Sequence, residues 1–167
     1  MADSMRSPLL ASLALVLLAH HGAHAQLLLG KSKPQQVSLA ATTSAAVVKA
    51  GSSLTLWAEV TPNRAMHVYA AGATEFTPVS IALTPNPVVT VGRVIYPKPA
   101  LAQSPGTIEA VPAYSQPFRI GVPVTIASSA KAGDALTIGG AVTYQACDDR
   151  LCYPVNVAPV TWNVTVQ

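Results

Sequence analysis

The 167-residue chain is only 10% charged, and its ten Lys and Arg against seven Asp and Glu, a formal net charge of +3, are scattered singly. Nucleic acid is therefore excluded as an expected partner, because tracking phosphates needs cations clustered on one face. Fourteen Pro and ten Gly among many Val and Thr favour strands and turns over helices.

At the amino terminus a single basic residue, Arg6, precedes the apolar run Leu9 to Ala19. Ala23-His24-Ala25 then places small residues at the −3 and −1 positions of a signal-peptidase site, so residues 1–25 read as a cleaved signal peptide. The run is shorter than the roughly 20 residues that a spanning helix takes. No Cys stands at the cleavage point to carry a lipid, and Pro, Gly, Ser and Thr interrupt every later apolar stretch. The expected location is periplasmic or secreted, where disulfides persist. Removing 25 residues from 167 leaves 142, enough for one domain with a sizeable core.

Residues 26–50 read as a lead-in, with Lys31, Lys33 and Pro34 followed by an Ala/Thr/Ser stretch, and residues 51–167 as the domain. From Ser53, Leu54, Leu56, Ala58 and Val60 fall on one strand face, and Thr55, Trp57 and Glu59 on the other. Thr61 to Arg64 reads as a turn and Met66 to Ala70 as a short strand. Val79 to Leu83 and Val88 to Tyr96 follow, separated by Thr84-Pro85-Asn86-Pro87.

Pro97 to Gln116 reads as a long irregular segment, of a length usually tied to function. Phe118 to Ile126 alternates cleanly, and Pro123 predicts an edge position. After a turn at Lys131 to Asp134, Leu136, Ile138, Val142 and Tyr144 share one face, with Gly139-Gly140 suggesting a bulge. The last strand runs from Val160 to Val166. Seven or eight short strands at near-regular spacing predict an all-β fold, an immunoglobulin-like antiparallel β-sandwich.

The only two cysteines lie in Tyr144-Gln145-Ala146-Cys147-Asp148-Asp149-Arg150-Leu151-Cys152-Tyr153-Pro154. A four-residue loop between them brings the thiols opposite each other across a hairpin, within disulfide reach. Closing so small a loop stabilises by roughly 2 kcal/mol, against about 4.7 for a 100-residue loop. Spacing alone leaves two readings open: a staple for the hairpin, or a dithiol that opens and closes.

Arg150 favours a thiolate while Asp148 and Asp149 disfavour it, and the charged turn offers a polar contact surface for a partner. Tyr144 and Tyr153 flank the pair and are candidates to shield it. Two cysteines are too few soft ligands for zinc or copper, so neither a metal nor a cofactor is expected. His20, His21 and His24 leave with the signal peptide. The remaining histidine, His67, sits beside a strand and reads as a half-buried packing residue.

The cysteine segment resembles the active-site hairpin of the amino-terminal periplasmic domain of the thiol:disulfide interchange protein DsbD. Met66-His67-Val68-Tyr69-Ala70 is similar to that family's early strand ending in Tyr. Pro112-Ala113-Tyr114 with Phe118 to Val124 is similar to its approach to a Val-Pro-Val strand. The likeness spans roughly Ser53 to Val166 and implies an immunoglobulin-like domain whose dithiol takes electrons from a thioredoxin-like or membrane donor and reduces oxidised periplasmic proteins.

By that resemblance the chain is a protein-disulfide reductase or interchange component. Cys152 is then the attacking thiol and Cys147 the resolving one, exchanging through a mixed disulfide. Tyr69, Tyr114, Tyr144 and Tyr153 become shielding candidates, and Asp148, Asp149 and Arg150 partner contacts. The loop between the cysteines is one residue shorter than in the best-known members. The stretch Ser104 to Tyr114, where the family's cap loop is expected, has Glu109 and Tyr114 but no Phe. Long members continue into membrane and thioredoxin-like domains, so this chain reads as a stand-alone shuttle with a separate reductant. The competing reading is a non-catalytic immunoglobulin-like binding module with a structural disulfide.

Overall fold

Alternating apolar residues need two partners: a neighbouring strand for the backbone and an opposing face for the side chains. The computed structural model describes residues 35–167, and both needs are met there without a helix. The expected signal peptide at 1–25 lies outside the described residues. The described residues form twelve strands: β1 (Val37–Thr43), β2 (Val47–Val48), β3 (Ser53–Pro62), β4 (His67–Tyr69), β5 (Ser80–Leu83), β6 (Val89–Val91), β7 (Ala100–Ala102), β8 (Val111–Tyr114), β9 (Phe118–Ile126), β10 (Ala135–Tyr144), β11 (Ala146–Cys147) and β12 (Asn156–Val166).

They form three four-stranded sheets, ordered β1-β3-β9-β6, β2-β12-β10-β5 and β11-β4-β8-β7. All the pairings are antiparallel except β12 with β2. The two larger sheets make the immunoglobulin-like sandwich. Leu54, Leu56, Ala58 and Val60 of β3 and Ile120, Val122, Val124 and Ile126 of β9 are buried on one side of its core. Ile138, Val142 and Tyr144 of β10 and Ala158, Val160, Trp162, Val164 and Val166 of β12 are buried from the other. Trp162 also donates its indole N–H to the Trp57 carbonyl at 2.9 Å, so one ring ties β12 to β3.

Four details differ from the sequence reading, each for a physical reason. The stretch read as a lead-in carries β1 and β2, and β1 pairs with β3 from Val37↔Pro62 to Thr43↔Leu56. Its Ala/Thr/Ser composition hides the strand because most of its side chains face solvent.

Pro123 lies on an interior strand, because β9 is flanked by both β3 and β6. The Pro123 carbonyl accepts from Gly92 N just past the end of β6, and its nitrogen faces the same way, where no ladder acceptor is needed. Gly139 and Gly140 make no bulge, since the β10–β12 register runs unbroken from Ala135↔Thr165 to Tyr144↔Asn156. A Cβ at Gly140 would stand 2.8 Å from the Ala82 carbonyl and 3.3 Å from Trp162 Cζ3, so the glycine lets β5 and the indole approach. Finally, the segment 97–116 contains β7 and β8, which build the third sheet.

That third sheet positions the cysteines. Strand β4 lies between β11 and β8, with Cys147↔His67 and Ala146↔Val68 on one side and Val68↔Tyr114 and Tyr69↔Ala113 on the other.

Candidate functional site

Strand β11 ends at Cys147, and the chain turns at once, so that Cys147 and Cys152 face each other as an antiparallel bridge. They are joined by a disulfide. The turn between them is organised by one carboxylate. Asp148 Oδ1 accepts from the backbone N–H of Arg150 at 2.8 Å and of Leu151 at 2.7 Å. Its Oδ2 accepts from the Tyr153 hydroxyl at 3.0 Å. Two backbone bonds, Asp148 N to the Leu151 carbonyl and Tyr153 N to the Ala146 carbonyl, complete the hairpin.

Those donors favour the ionised form, and the Asp148 pKa is lowered from 3.8, chiefly by the Arg150 and Leu151 backbone bonds. A depressed carboxyl pKa stabilises the folded state fully above the ordinary value, and that contribution fades as pH falls through the depressed one. Replacing Asp148 with Asn, the neutral isostere, should thus lower stability at neutral pH and leave it near wild type in strong acid. Denaturant midpoints measured from pH 7 down to pH 2 check this; parallel curves would show that the charge is idle. The hydrogen bond from Tyr153 to Asp148 raises the Tyr153 pKa, because an ionised phenol cannot donate to the carboxylate.

The two sulfurs differ in access. Cys147 has no solvent exposure (0%) and clusters with Tyr69, Ala73 and Ala113, whereas Cys152 packs at the margin of that cluster and is part exposed. Tyr69 is buried against Cys147. Its hydroxyl donates to Cys147 Sγ at 2.8 Å, is 3.5 Å from Cys152 Sγ and is 2.8 Å from Ser104 Oγ. Ser104 is in turn 3.0 Å from His67 Nε2. Strand alternation puts His67 and Tyr69 on one face, where their rings meet edge to face at 5.3 Å.

Burial raises the Tyr69 pKa, opposed by the Ser104 hydrogen bond. Burial lowers the His67 pKa from 6.5, opposed by the nearby charges of Asp149 and Asp148. Phe76 stacks on Tyr69, centroids 3.9 Å apart and planes within 7°, and packs against the cysteine cluster. Gln145 holds the segment bearing Phe76 to the hairpin: its Oε1 accepts from Thr77 N at 2.9 Å and its Nε2 donates to the Tyr153 carbonyl.

The sequence candidates therefore separate into groups. Cys147, Cys152, Tyr69, Tyr153 and Asp148 come together, and Asp149 and Arg150 project from the turn. Tyr114 and Tyr144 belong instead to the large core. The Tyr114 hydroxyl donates to the Pro97 carbonyl and its ring stacks on Phe118, while the Tyr144 hydroxyl accepts from Asn156. From the expected cap stretch Ser104, Val111 and Ala113 reach the site, and the aromatic cover comes from Phe76 in the 70–79 segment. His67 is more deeply buried than a half-buried packing residue, with 5% exposure and a polar partner. The signal for it was its placement two residues from Tyr69; for Ser104, in a Pro- and Ser-rich stretch, the sequence held no signal.

The family model for the thiol:disulfide interchange protein DsbD, N-terminal, matches residues 34–161. The chain belongs to this DsbD amino-terminal family. Among solved structures it is similar to the N-terminal periplasmic domain of ScsB from Proteus mirabilis at 14% identity and TM-score 0.54, covering 79% of this chain and 47% of that one. It therefore spans about half of the ScsB chain. It is also similar, at 14% identity and TM-score 0.45, to the DsbD n-terminal domain of Neisseria meningitidis in the reduced form, covering 76% of this chain and 84% of that one. No curated protein matches. The DsbD assignment and the Cys147–Cys152 disulfide agree on thiol–disulfide exchange as the chemistry.

Proposed function

We propose that the protein is a periplasmic thiol–disulfide exchange protein whose Cys147–Cys152 pair carries two electrons from a thioredoxin-like or membrane donor to oxidised periplasmic proteins. The asymmetry of the two sulfurs carries this reading: Cys152 is reachable from solvent and Cys147 is not. A donor thiolate attacks Cys152 Sγ and expels Cys147, forming a mixed disulfide, and the donor's second thiol then releases Cys152. In the outgoing half, the Cys152 thiolate attacks the partner's disulfide, and Cys147 attacks Cys152 to free the reduced partner. Both halves pass through one covalent intermediate at the accessible sulfur.

The test is equilibration of the folded protein with a thioredoxin-like dithiol at graded redox poise, read by alkylation of freed thiols. The disulfide should open without unfolding and with a potential above roughly −300 mV, the level below which structural disulfides resist reduction. A bond untouched by excess dithiol until the chain is denatured would make it a hairpin staple in a binding module.

A further inference from the structure

Opening the disulfide creates a problem at Cys147. The departing sulfur carries the electron pair of the broken bond, yet it has no solvent exposure and sits among Tyr69, Ala73 and Ala113. A thiolate is costly in such surroundings unless a donor or a proton reaches it. Behind it runs a continuous row of polar groups. Cys147 Sγ to Tyr69 Oη is 2.8 Å, Tyr69 Oη to Ser104 Oγ is 2.8 Å, and Ser104 Oγ to His67 Nε2 is 3.0 Å. All four residues are buried. His67 nevertheless lines a surface recess together with Met66, Gln103, Gln116 and Asp149. The row thus starts at an inaccessible sulfur and ends at a recess open to the surface.

We propose that Tyr69, Ser104 and His67 are a proton relay that charges and discharges Cys147 as the disulfide opens and closes. This deepens the exchange reading and rests on it. In the opening step a donor thiolate bonds to Cys152 Sγ, the Cys147–Cys152 bond breaks, and its electron pair goes to Cys147. The Tyr69 hydroxyl proton moves to Cys147, Ser104 gives its proton to Tyr69, and His67 in its imidazolium form gives its Nε2 proton to Ser104 and becomes neutral. A proton taken up from water in the recess returns the ring to its charged form. The donor's second thiol completes the two-electron reduction, and closing the disulfide runs the same transfers backwards. Tyr69 is the catalytic residue of the three, since it touches the reacting sulfur; Ser104 and His67 act through it.

The groups facing His67 suit this use. Tyr69 lies on its own strand, Ser104 comes from the segment between β7 and β8, and Asp149 and Asp148 come from the cysteine hairpin. Burial lowers the pKa of the ring, so the protonated donor is a minor form at pH 7 whose share grows as pH falls.

The test is the rate of reduction of the oxidised full chain by dithiothreitol from pH 5 to 9, divided by the reagent's thiolate fraction. In wild type the corrected rate should rise as pH falls through the titration of His67, below 6.5. Tyr69→Phe and Ser104→Ala should slow reduction at pH 7 by about 100-fold, the low end of what a positioned proton donor contributes. His67→Gln retains an amide able to donate to Ser104 but cannot titrate, and it should abolish the rise. A His67→Gln profile parallel to wild type, or a Tyr69→Phe rate within about twofold of wild type, would overturn the relay while leaving exchange intact. A disulfide that dithiothreitol leaves closed in every folded variant would overturn both.

Discussion

Replacing Cys147 with Ala should turn the protein into a covalent trap held through Cys152. With the resolving thiol gone, attack of Cys152 on a partner disulfide stops at the mixed disulfide, which persists until an outside thiol releases it. The opposite variant, Cys152→Ala, should yield at least about tenfold less adduct, because exchange requires sulfur access and Cys147 is fully covered. Non-reducing electrophoresis after incubation with periplasmic extract, and then with a purified oxidised protein, reads both outcomes. Equal adduct yields from the two variants would mean that burial does not select the attacking sulfur. Loss of fold does not confound the comparison. Closing so short a loop is worth about 2 kcal/mol, a minor part of a domain stability of roughly 5–15 kcal/mol.

Trp162→Ala should cause the largest loss of stability of any single truncation. Trp162 heads the fully buried side chains by volume, and its ring spans the sandwich to donate to the Trp57 carbonyl on the facing sheet. Deleting a buried Trp costs about 3–5 kcal/mol through lost burial and an unfilled cavity. The indole packs over Gly140, which has no side chain to swing into the space left behind. Urea unfolding should show the midpoint falling, with Tm down by roughly 10 °C or more. Trp57→Ala supplies the contrast. That ring lies on the outward face across Gly121 under the Arg119 guanidinium at 4.1 Å, and its loss should cost clearly less. Comparable losses from both would show that the sandwich is not organised around Trp162.

Period-two alternation made β3, β9, β10 and β12 readable from the sequence, since each has one face in a common core. Alternation fails where a strand buries little or is very short. β1 shows solvent most of its Ala and Thr side chains, and β7 and β8 span three and four residues among prolines. The cysteine hairpin was readable because its parts are contiguous in sequence. The groups around it were not, for they come from distant segments: Ser104 and Phe76 meet Tyr69 only after β4, β8 and β11 pair. Tyr114 and Tyr144 show the converse limit. Their closeness to the motif or its matching segment suggested shielding, yet strand direction turns both into the main core.

The cysteines and Tyr69 form a cluster apart from the one that fills the sandwich. Making and breaking a covalent bond is thereby confined to a small annex, so each redox turnover need not disturb the folding energetics of the main body. A domain arranged this way can run its cycle repeatedly from a stable platform, and mutations that retune the chemistry are largely free of those that maintain the fold.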